Sequence, residues 1–406
     1  MLTPTPLHDQ LDAVRGDPLR VLIAGAGIAG TTLAQLLRVD GLHPVVVERS
    51  RPDADPGYMI ALIPLVDPVL DRLGVWDAYR DQSVEFRRYR LRDSGGRVIR
   101  EYPMGELLNR YGEYRGLDRG SLLDVLASKG GTVSHETTVA ALDQDGNAVR
   151  AALHDGRGET TAEFDLVVAA DGLHSGTREL VLRPDQVSTF DSKWGGWIAW
   201  ADADDEQDLG EETWGAGFFI GSYPVKDRVG VIVGGDRRDT AEGKDAFVAG
   251  IRRQISDASP RLDRSLAAVA EAADPYFWSL TDCRADEWVV GRVLLLGDAA
   301  AGFLPTAGIG AGMAMESAWV LAERLRGLPA AEVPTALTAY QRAQRPRVEA
   351  AQDNSRQLAR LMFRRNAILA RLRDIAARFI TLDMALGPIR RLLEEQPQPG
   401  AGSQRQ

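Results

Sequence analysis

The hydrophobic positions of this chain fall into patterns that predict alternating strands and helices. Short uninterrupted apolar runs, typical of strands buried on both faces, occur at 20–24, 44–48, 165–170 and 292–297. The first run leads through a glycine-rich turn into a helical pattern with apolar residues at 33, 36 and 37. Gly41 ends that helix, and the run at 44–48 follows it. The order strand, turn, helix, strand predicts a βαβ unit.

Two other stretches depart from this pattern and predict a second, β-rich domain. Extended segments at 85–103 surround the sequence Asp-Ser-Gly-Gly, which indicates a hairpin. The longer stretch at 187–277 is rich in predicted strands, contains eleven of the 27 aromatic residues and is interrupted by a helical insert at 245–255. Between them, 117–129 predicts a helix and 132–164 predicts further strands.

The domain organisation that these patterns predict is discontinuous. A nucleotide-binding domain takes residues 19–84, 104–186 and 278–344. A β-sheet domain for the substrate takes 85–103 and 187–277. Helices are expected at 345–395 and a disordered tail at 396–406, where Pro, Gly and Gln dominate. The first 20 residues lack the apolar run of a signal peptide and are expected to form a loose leader.

The stretch 345–391 is strongly basic and has apolar residues at helical spacing. It contains eleven arginines against four acids, a net charge of +7 in a chain of net charge −10. A basic amphipathic helix can lie on a membrane or a partner. We favour packing of this helix across the acidic remainder of its own chain.

Composition narrows the classes of function. The 406 residues suffice for two domains, and 58 acidic against 48 basic residues argue against a nucleic-acid partner. The single cysteine, Cys283, forms neither an internal disulfide nor a zinc site, so a cytoplasmic setting is expected. The uncharged run between Asp298 and Glu316 is broken by Pro305 and glycines, which excludes it as a membrane span.

The turn after the first strand has the chemistry of a dinucleotide site. In the sequence Gly-Ala-Gly-Ile-Ala-Gly, Gly25 permits the tight turn, Gly27 lets the backbone approach a pyrophosphate, and Gly30 permits close helix packing. Glu48 follows at the tip of the second strand, where its carboxylate can accept hydrogen bonds from a ribose. Strand, helix and acid all agree, so dinucleotide binding is favoured over a fortuitous turn.

Two later strands also end in an acid. Asp171 follows the strand at 165–170, and on local grounds it or Ser175 is a helix cap. Asp298 follows the strand at 292–297, after which Pro305 and the glycines at 308–312 open a helix. Those glycines leave the N–H groups of the first turn uncovered, so this helix start can approach a planar, partly anionic ligand. The alternative is close backbone packing between helix and strand.

Three motifs in one order resemble the FAD-dependent group A aromatic monooxygenases built like para-hydroxybenzoate hydroxylase. They are GAGIAG with Glu48 and Arg49, ADGLHSGTR at 170–178, and GDAA at 297–300 followed by Pro305 and the glycine cluster. The resemblance covers about 20–327. It implies an α/β fold, with a Rossmann-like FAD-binding domain, an interleaved β-sheet substrate domain and C-terminal helices.

The resemblance also implies roles for individual residues. The turn would receive the FAD pyrophosphate, Glu48 the adenosine ribose and Asp298 the ribitol, with Asp171 as a brace that also guides the nicotinamide cofactor. The full set implied to contact FAD is Gly25, Ala26, Gly27, Ile28, Ala29, Gly30, Glu48, Arg49, Arg119, Val139, Asp171, Asp298, Pro305, Gly308, Gly310, Ala311 and Gly312.

The sequence departs from the family at three positions near the flavin. The family usually shows His, Asn and Asp where Ala301, Gly312 and Ser317 stand, so the flavin pocket is expected to be atypical on that side. The tryptophan signature of flavin-dependent halogenases is absent, which disfavours halogenation.

Aromatic residues of the β-rich stretch are the candidates for the substrate wall. Trp197 and Trp200 must point to opposite faces of one strand, so one of them needs a flat cover such as cofactor or substrate. Packing in a core is the commoner role of strand aromatics. The candidates are Trp197, Trp200, Trp214, Phe219 and Tyr223.

The function implied by the resemblance is hydroxylation of an aromatic or polyketide-like small molecule by FAD, NADH or NADPH, and O₂ through a flavin C4a-hydroperoxide. The nicotinamide cofactor would bind transiently, because no second glycine fingerprint follows a strand. A flavin-dependent reductase or dehydrogenase and a non-catalytic FAD-binding sensor are the alternatives. The five scattered histidines form no dyad, so no catalytic side chain is assigned.

Overall fold

A computed structural model describes residues 2–52, 57–105, 110–381, 384 and 386–397. The part of the predicted tail from 398 onward lies outside the described residues. The described strands are β1 Thr3–Pro4, β2 Val21–Ala24, β3 Val45–Val47, β4 Met59–Leu62, β5 Val84–Glu85, β6 Arg88–Arg92, β7 Val98–Pro103, β8 Arg115–Asp118, β9 Thr132–Val133, β10 Thr138–Gln144, β11 Val149–His154, β12 Glu159–Phe164, β13 Leu166–Ala169, β14 Val187–Asp202, β15 Leu209–Trp214, β16 Phe218–Val225, β17 Arg228–Asp236, β18 Tyr276–Ala285, β19 Val289–Val290 and β20 Val293–Leu295.

The described helices connect and cover these strands. They are α1 Leu7–Val14, α2 Ile28–Val39, α3 Asp67–Leu73, α4 Trp76–Asp81, α5 Arg119–Leu126, α6 Gly176–Glu179, α7 Arg237–Thr240, α8 Lys244–Gln254, α9 Pro260–Glu271, α10 Asp298–Ala301, α11 Gly310–Leu325, α12 Val333–Met362, α13 Ala367–Ala377 and α14 Gly387–Glu394.

The nucleotide-binding half is built on a five-stranded sheet of order β19-β20-β13-β2-β3. Strands β20, β13, β2 and β3 are parallel, and their side chains are almost fully buried, as a sheet covered on both faces requires. All four predicted apolar runs therefore become neighbours in one sheet. The carboxyl ends of these strands meet at one edge, where ligands of such sheets bind.

The second half is a seven-stranded sheet of order β18-β14-β17-β16-β15-β6-β7. The hairpin β6–β7 and the strands β14 to β17 lie in one sheet, although 83 residues or more separate them in the chain, because β6 pairs in parallel with β15. Helices α8 and α9 cover one face of this sheet. The opposite face packs toward the nucleotide-binding half. Helix α9 is absent from the sequence prediction, which assigned only the insert at 245–255.

Strand β18 crosses the predicted boundary between the two domains, which lies at residues 277 and 278. We placed 278–344 in the nucleotide-binding domain, whereas β18 is the edge strand of the seven-stranded sheet. Its partner β14 is long and contains an irregularity between Asp191 and Gly195, where the pairing with β18 shifts register. This pairing extends the seven-stranded sheet beyond residue 277.

The leader is ordered, which corrects the expectation of a loose segment at 1–20. Strand β1 pairs in parallel with β9, and Leu7 and Val14 of α1 are buried. Gln10 donates to the carbonyl oxygen of Val46 at 3.0 Å and to the hydroxyl of Ser134 at 2.7 Å. These long-range contacts bind the leader to β3, and a local apolar pattern does not reveal them.

Candidate active site

The glycine turn between β2 and α2 is shaped by close backbone contacts. Gly25 has a φ of +106°, a region that favours glycine, and its N–H donates to the carbonyl oxygen of Val47 at 2.7 Å. A Cβ on Gly30 would lie 1.9 Å from the carbonyl oxygen of Gly25. A Cβ on Gly27 would meet only the guanidinium of Arg119, at 3.7 Å. Gly25 and Gly30 therefore shape the turn, whereas Gly27 faces open space beside a cation.

The start of α2 presents uncovered N–H groups to this space. Gly27 is the N-cap and supplies no side-chain acceptor. Free N–H groups and the helix dipole favour an anion at this position. Arg119 at the start of α5 lies across from Gly27 and adds positive charge. The turn, the helix start and the arginine together fit a pyrophosphate group.

Glu48 lies beside the same turn. Its carboxylate accepts hydrogen bonds from the N–H groups of Ala26 and Ser50, both at 2.9 Å. Burial acts to raise the pKa of Glu48, but these hydrogen bonds outweigh it and hold the pKa below its usual value. Glu48 is therefore ionised and able to accept from hydroxyl groups.

Arg49 and Val139 lie near Glu48, and the charge of Arg49 helps to lower the pKa of the Glu48 carboxyl. Arg49 is exposed next to Glu48 in the chain. Val139 on β10 is partly buried against a cluster that includes Val45 and Val47. It comes two residues after Thr137, whose N–H donates to the Glu48 carbonyl oxygen at 3.0 Å.

The second motif braces the sheet edge. Ser175 caps the short helix α6, since its hydroxyl accepts from the N–H of Arg178 at 2.9 Å, and the Asp171 carboxylate accepts from the Ser175 hydroxyl and from the N–H of Thr177, the latter at 3.0 Å. The buried guanidinium of Arg178 donates to the carbonyl oxygens of Ala299 and Leu173. Because a Cβ on Gly25 would also touch Asp171, this motif links the first turn to α10. The capping role expected on local grounds is what the geometry shows.

Asp298 opens the third motif and faces the cleft between the two halves. Asp298 is exposed, and the protein around its carboxyl raises the pKa to about 6, while the positive charge of Arg119 acts in the opposite direction. Tyr58 is close enough that Asp298 contributes to raising its pKa to about 12, after the larger effect of burial. Asp298, Arg119 and Tyr58 thus share one polar region.

The loop after α10 carries Pro305 and leads into α11. Gly308 has a φ of +62°, and α11 begins at Gly310 without a side-chain cap. Gly310 packs against Phe303, and Gly312 packs against Leu65 and Val66. The hydroxyl of Thr306 donates to the Ser355 carbonyl oxygen at 2.7 Å, which anchors this loop on α12. Ala311 lies in the first turn of α11, whose N–H groups have no side-chain cap.

The departures from the family pattern have a structural counterpart. Ala301 and Ser317 line one small cavity with Asp298 and Gly310. Side chains as large as His and Asp at those two positions would extend into this space. Gly312 lies apart from the cavity.

The residues of the three motifs therefore converge on one edge of the parallel sheet. Glu48 holds the turn at Ala26, Asp171 touches Gly25, and a Cβ on Gly297 would lie 2.9 Å from the Cβ of Ala29. Residues from three distant parts of the sequence thus surround one cleft. The open Gly27, the uncapped starts of α2 and α11, and the acids on either side fit an extended dinucleotide such as FAD.

The inner face of the seven-stranded sheet closes the cleft with aromatic side chains. Trp214, Phe219 and Ile232 form a buried cluster with Leu304, the residue before Pro305. Tyr223 packs at its edge, as do Tyr58 and Trp278, whose rings lie 4.8 Å apart. The aromatic wall therefore contacts the loop that carries Pro305.

Two of the predicted wall residues do not fit this arrangement. Trp197 lies on the opposite face of the sheet, among Phe247 and Phe277 under α8 and α9. Trp200 has the parity of the inner face, but the guanidinium of Arg228 lies 3.7 Å from its ring centre and covers it. The cover expected for one of the tryptophans is thus protein in both cases, because helices and an arginine occupy the two positions.

A buried carboxyl group on the inner face escaped the sequence analysis. Glu212 accepts hydrogen bonds from the Tyr223 hydroxyl at 2.5 Å and the Trp214 indole N–H at 2.7 Å, and also from Tyr89. Burial raises its pKa, and these donors oppose the shift. Among the described residues no arginine or lysine pairs with it. The alternating pattern of β15 was the available signal, since it places Glu212 on the same face as Trp214.

The fold and the cleft define an α/β flavoprotein with a β-sheet cover. A family model described as an FAD binding domain matches residues 18–355. The chain belongs to this family, and it is an FAD-dependent monooxygenase of the aromatic hydroxylase type. The predicted fold class, the FAD cofactor and the oxidoreductase activity are thereby confirmed.

Relatives and solved structures agree with this assignment. The chain is 30% identical over 376 residues to 3-amino-4-hydroxybenzoate 2-monooxygenase of Streptomyces platensis, covering 87% of this chain and 91% of the relative. It is 25% identical to a flavin-dependent monooxygenase of Legionella longbeachae, covering 76% and 80%. The structure of Klebsiella pneumoniae HpxO complexed with FAD and uric acid shares the fold, with a TM-score of 0.81 at 22% identity and coverage of 93% and 97%. None of the helices in the described ranges combines the length and hydropathy of a membrane span.

Proposed function

We propose that this monooxygenase uses NADH or NADPH and O₂ to hydroxylate an electron-rich aromatic small molecule. The substrate would lie between the Pro305 loop and the inner face of the seven-stranded sheet. The observation that carries this proposal is that Leu304 belongs to the same buried cluster as Trp214 and Phe219 of the inner face. It places the loop of the nucleotide-binding half beside an aromatic wall, at whose edge Tyr223 and Glu212 carry polar groups.

Bound FAD would take electrons from the nicotinamide cofactor and activate O₂ for transfer of one oxygen atom to the substrate. The chain's own residues would position the cofactor and stabilise negative charge. The uncapped N–H groups at the start of α11, freed by the turn at Gly308, would stabilise negative charge on bound FAD. Arg119 and the start of α2 do the same for the pyrophosphate.

The aromatic wall would also exclude water. Trp214 and Phe219 are buried, and the ring of Phe363, next to the end of α12, stacks on Trp194 at 4.5 Å. A site walled in this way protects a reactive oxygen species from unproductive decay in water.

Glu212 would orient the substrate by accepting a hydrogen bond from it, directly or through Tyr223. A carboxylate can accept about four hydrogen bonds, and three donors are already assigned to this one. The relative from Streptomyces platensis is named for a ring with amino and hydroxyl groups, which are donors of the kind that Glu212 accepts. We therefore propose a phenolic or amino-substituted ring as the substrate class.

The test is substrate-stimulated oxidation of NADH and NADPH by the FAD-loaded protein, against a panel of phenols, aminophenols and polycyclic aromatics. We expect O₂ uptake to match nicotinamide oxidation and product formation, with one atom of labelled O₂ in the product. A reductase or dehydrogenase would form product without O₂. An FAD-binding sensor would show no stimulation by any ring. Either result would overturn the proposal while leaving FAD binding intact.

We also propose a cytoplasmic location, because the single cysteine, Cys283, is free and buried.

A further inference from the structure

The outer face of α13 exposes apolar side chains to an unusual degree. Of the ten large hydrophobic residues that are exposed in the described part of the chain, six fall between 368 and 384. Ile368 and Phe379 are 71% and 75% exposed. We call the following residues the α13 surface: Ile368, Leu369, Arg371, Leu372, Ile375, Arg378 and Phe379.

The charge on this surface is of one sign. Arg371 lies one helical turn from Ile368 and Ile375, and Arg378 one turn from Ile375, so both arginines flank the apolar side chains. Neither has an acidic partner among the described residues. The single acid of α13, Asp374, is buried and paired with Arg373.

The rest of the basic segment behaves as the sequence analysis favoured. In α12, Arg347 pairs with Glu316 and Arg356 pairs with Asp282, so these arginines pack across acids of the same chain. The inner side of α13 is also anchored, because Arg373 donates to the Trp214 carbonyl oxygen and Ala377 joins the aromatic cluster. The α13 surface is what this packing leaves uncovered.

We propose that the α13 surface binds an anionic lipid bilayer. Apolar side chains with arginines at their margin are the chemistry of helices that lie in the interface plane, where arginines contact headgroup phosphates. A second copy packed face to face would bring the unpaired arginines of both copies together.

Binding of the α13 surface to a bilayer would affect how substrates reach the active site. Because α13 is bound to the end of β15 through Trp214, docking would bring the bilayer within one helix of the aromatic wall. Substrates that partition into lipid would then be concentrated beside the cleft.

The experiment is co-sedimentation of the FAD-loaded full chain with vesicles of phosphatidylcholine, with and without phosphatidylglycerol, at low and high salt. We expect binding only with phosphatidylglycerol, weakened by salt. Each neutralised arginine should reduce the partition coefficient about fivefold, so Arg371→Gln with Arg378→Gln should reduce it about 25-fold. The separate double variant Ile368→Ser with Leu372→Ser should lose most of its binding to the phosphatidylglycerol vesicles.

Matched controls keep the result interpretable. Arg157→Gln with Arg252→Gln removes two exposed arginines elsewhere, and Val39→Ser removes an exposed apolar side chain from α2. All variants should retain bound FAD and the far-ultraviolet spectrum, and Ile375→Ser serves if a double variant fails to fold. Absence of binding to phosphatidylglycerol, binding unchanged in the α13 variants, or a dimer that those variants convert to monomer would each overturn the proposal.

Discussion

Gly27 and Gly30 lie in one turn but have different surroundings, which separates folding from cofactor binding. A Cβ at position 30 would collide with the backbone of Gly25, whereas at position 27 the nearest atom is the flexible end of Arg119. We expect Gly30→Ala to lower the free energy of unfolding by more than about 4 kcal/mol. Gly27→Ala should cost about 1 kcal/mol or less.

The Gly27→Ala variant is also expected to weaken the binding of FAD. Gly27→Ala places a methyl group where the pyrophosphate approaches the backbone, so FAD should bind at least about tenfold more weakly to a protein that still folds. Urea denaturation without FAD and titration of flavin fluorescence measure the two effects. Equal stability of the two variants would contradict this division of roles.

Glu212 predicts a pH dependence at the residue scale. Burial raises its pKa, so the ionised form that accepts from a substrate is lost at a higher pH than for an ordinary carboxyl group. We expect kcat/KM to fall as the pH falls through this raised pKa. Glu212→Gln should lower kcat/KM by about 10- to 100-fold for rings that carry a donor, the loss of one hydrogen bond to a charged group.

Two comparisons isolate the role of the Glu212 carboxylate. One is the Tyr223→Phe variant, and the other is a substrate ring that carries no hydrogen-bond donor. Tyr223→Phe leaves the carboxyl in place, so the pH profile should persist. A Glu212→Gln enzyme with the wild-type pH profile would show that Glu212 only stabilises the sheet.

At the scale of elements, one buried ion pair holds α12 against β18. Arg356 donates to both oxygens of Asp282, at 2.9 and 2.7 Å, and Asp282 is fully buried. Arg356→Met leaves that carboxylate without its partner and should lower the free energy of unfolding by about 3–5 kcal/mol. The exposed pair of Arg365 with Asp239 is the control, because Arg365→Met should cost less than about 1 kcal/mol.

Urea midpoints of these variants test the element-scale prediction. Asp282→Asn combined with Arg356→Met should be less damaging than the sum of the two single changes, since the combination leaves no uncompensated charge. If Arg356→Met and Arg365→Met cost the same, α12 is held by apolar packing alone.

At the scale of the whole molecule, the two halves are expected to unfold together. The cluster around Leu304 joins the seven-stranded sheet to the loop of the nucleotide-binding half. FAD should therefore raise the temperature of a single transition, by an amount that corresponds to about 2.7 kcal/mol at a hundredfold excess over its Kd. Scanning calorimetry with riboflavin, which lacks the pyrophosphate and adenosine, is the control and should show little shift. Two separate transitions, with only one of them raised by FAD, would contradict the coupling.

The spacing of apolar residues predicted the parallel sheet, and the three motifs predicted the FAD-dependent family through their resemblance to it. The glycine turn could be predicted because it needs backbone contacts that only glycine permits, as at Gly25 and Gly30. Which aromatic face meets the cleft depends on long-range packing. Alternation along β14 shows that Trp197 and Ile198 point in opposite directions, but only the packing of α8 and α9 decides which of the two faces is covered. The same holds for Glu212 and for the leader, whose partners are brought together by long-range pairing that no local pattern encodes.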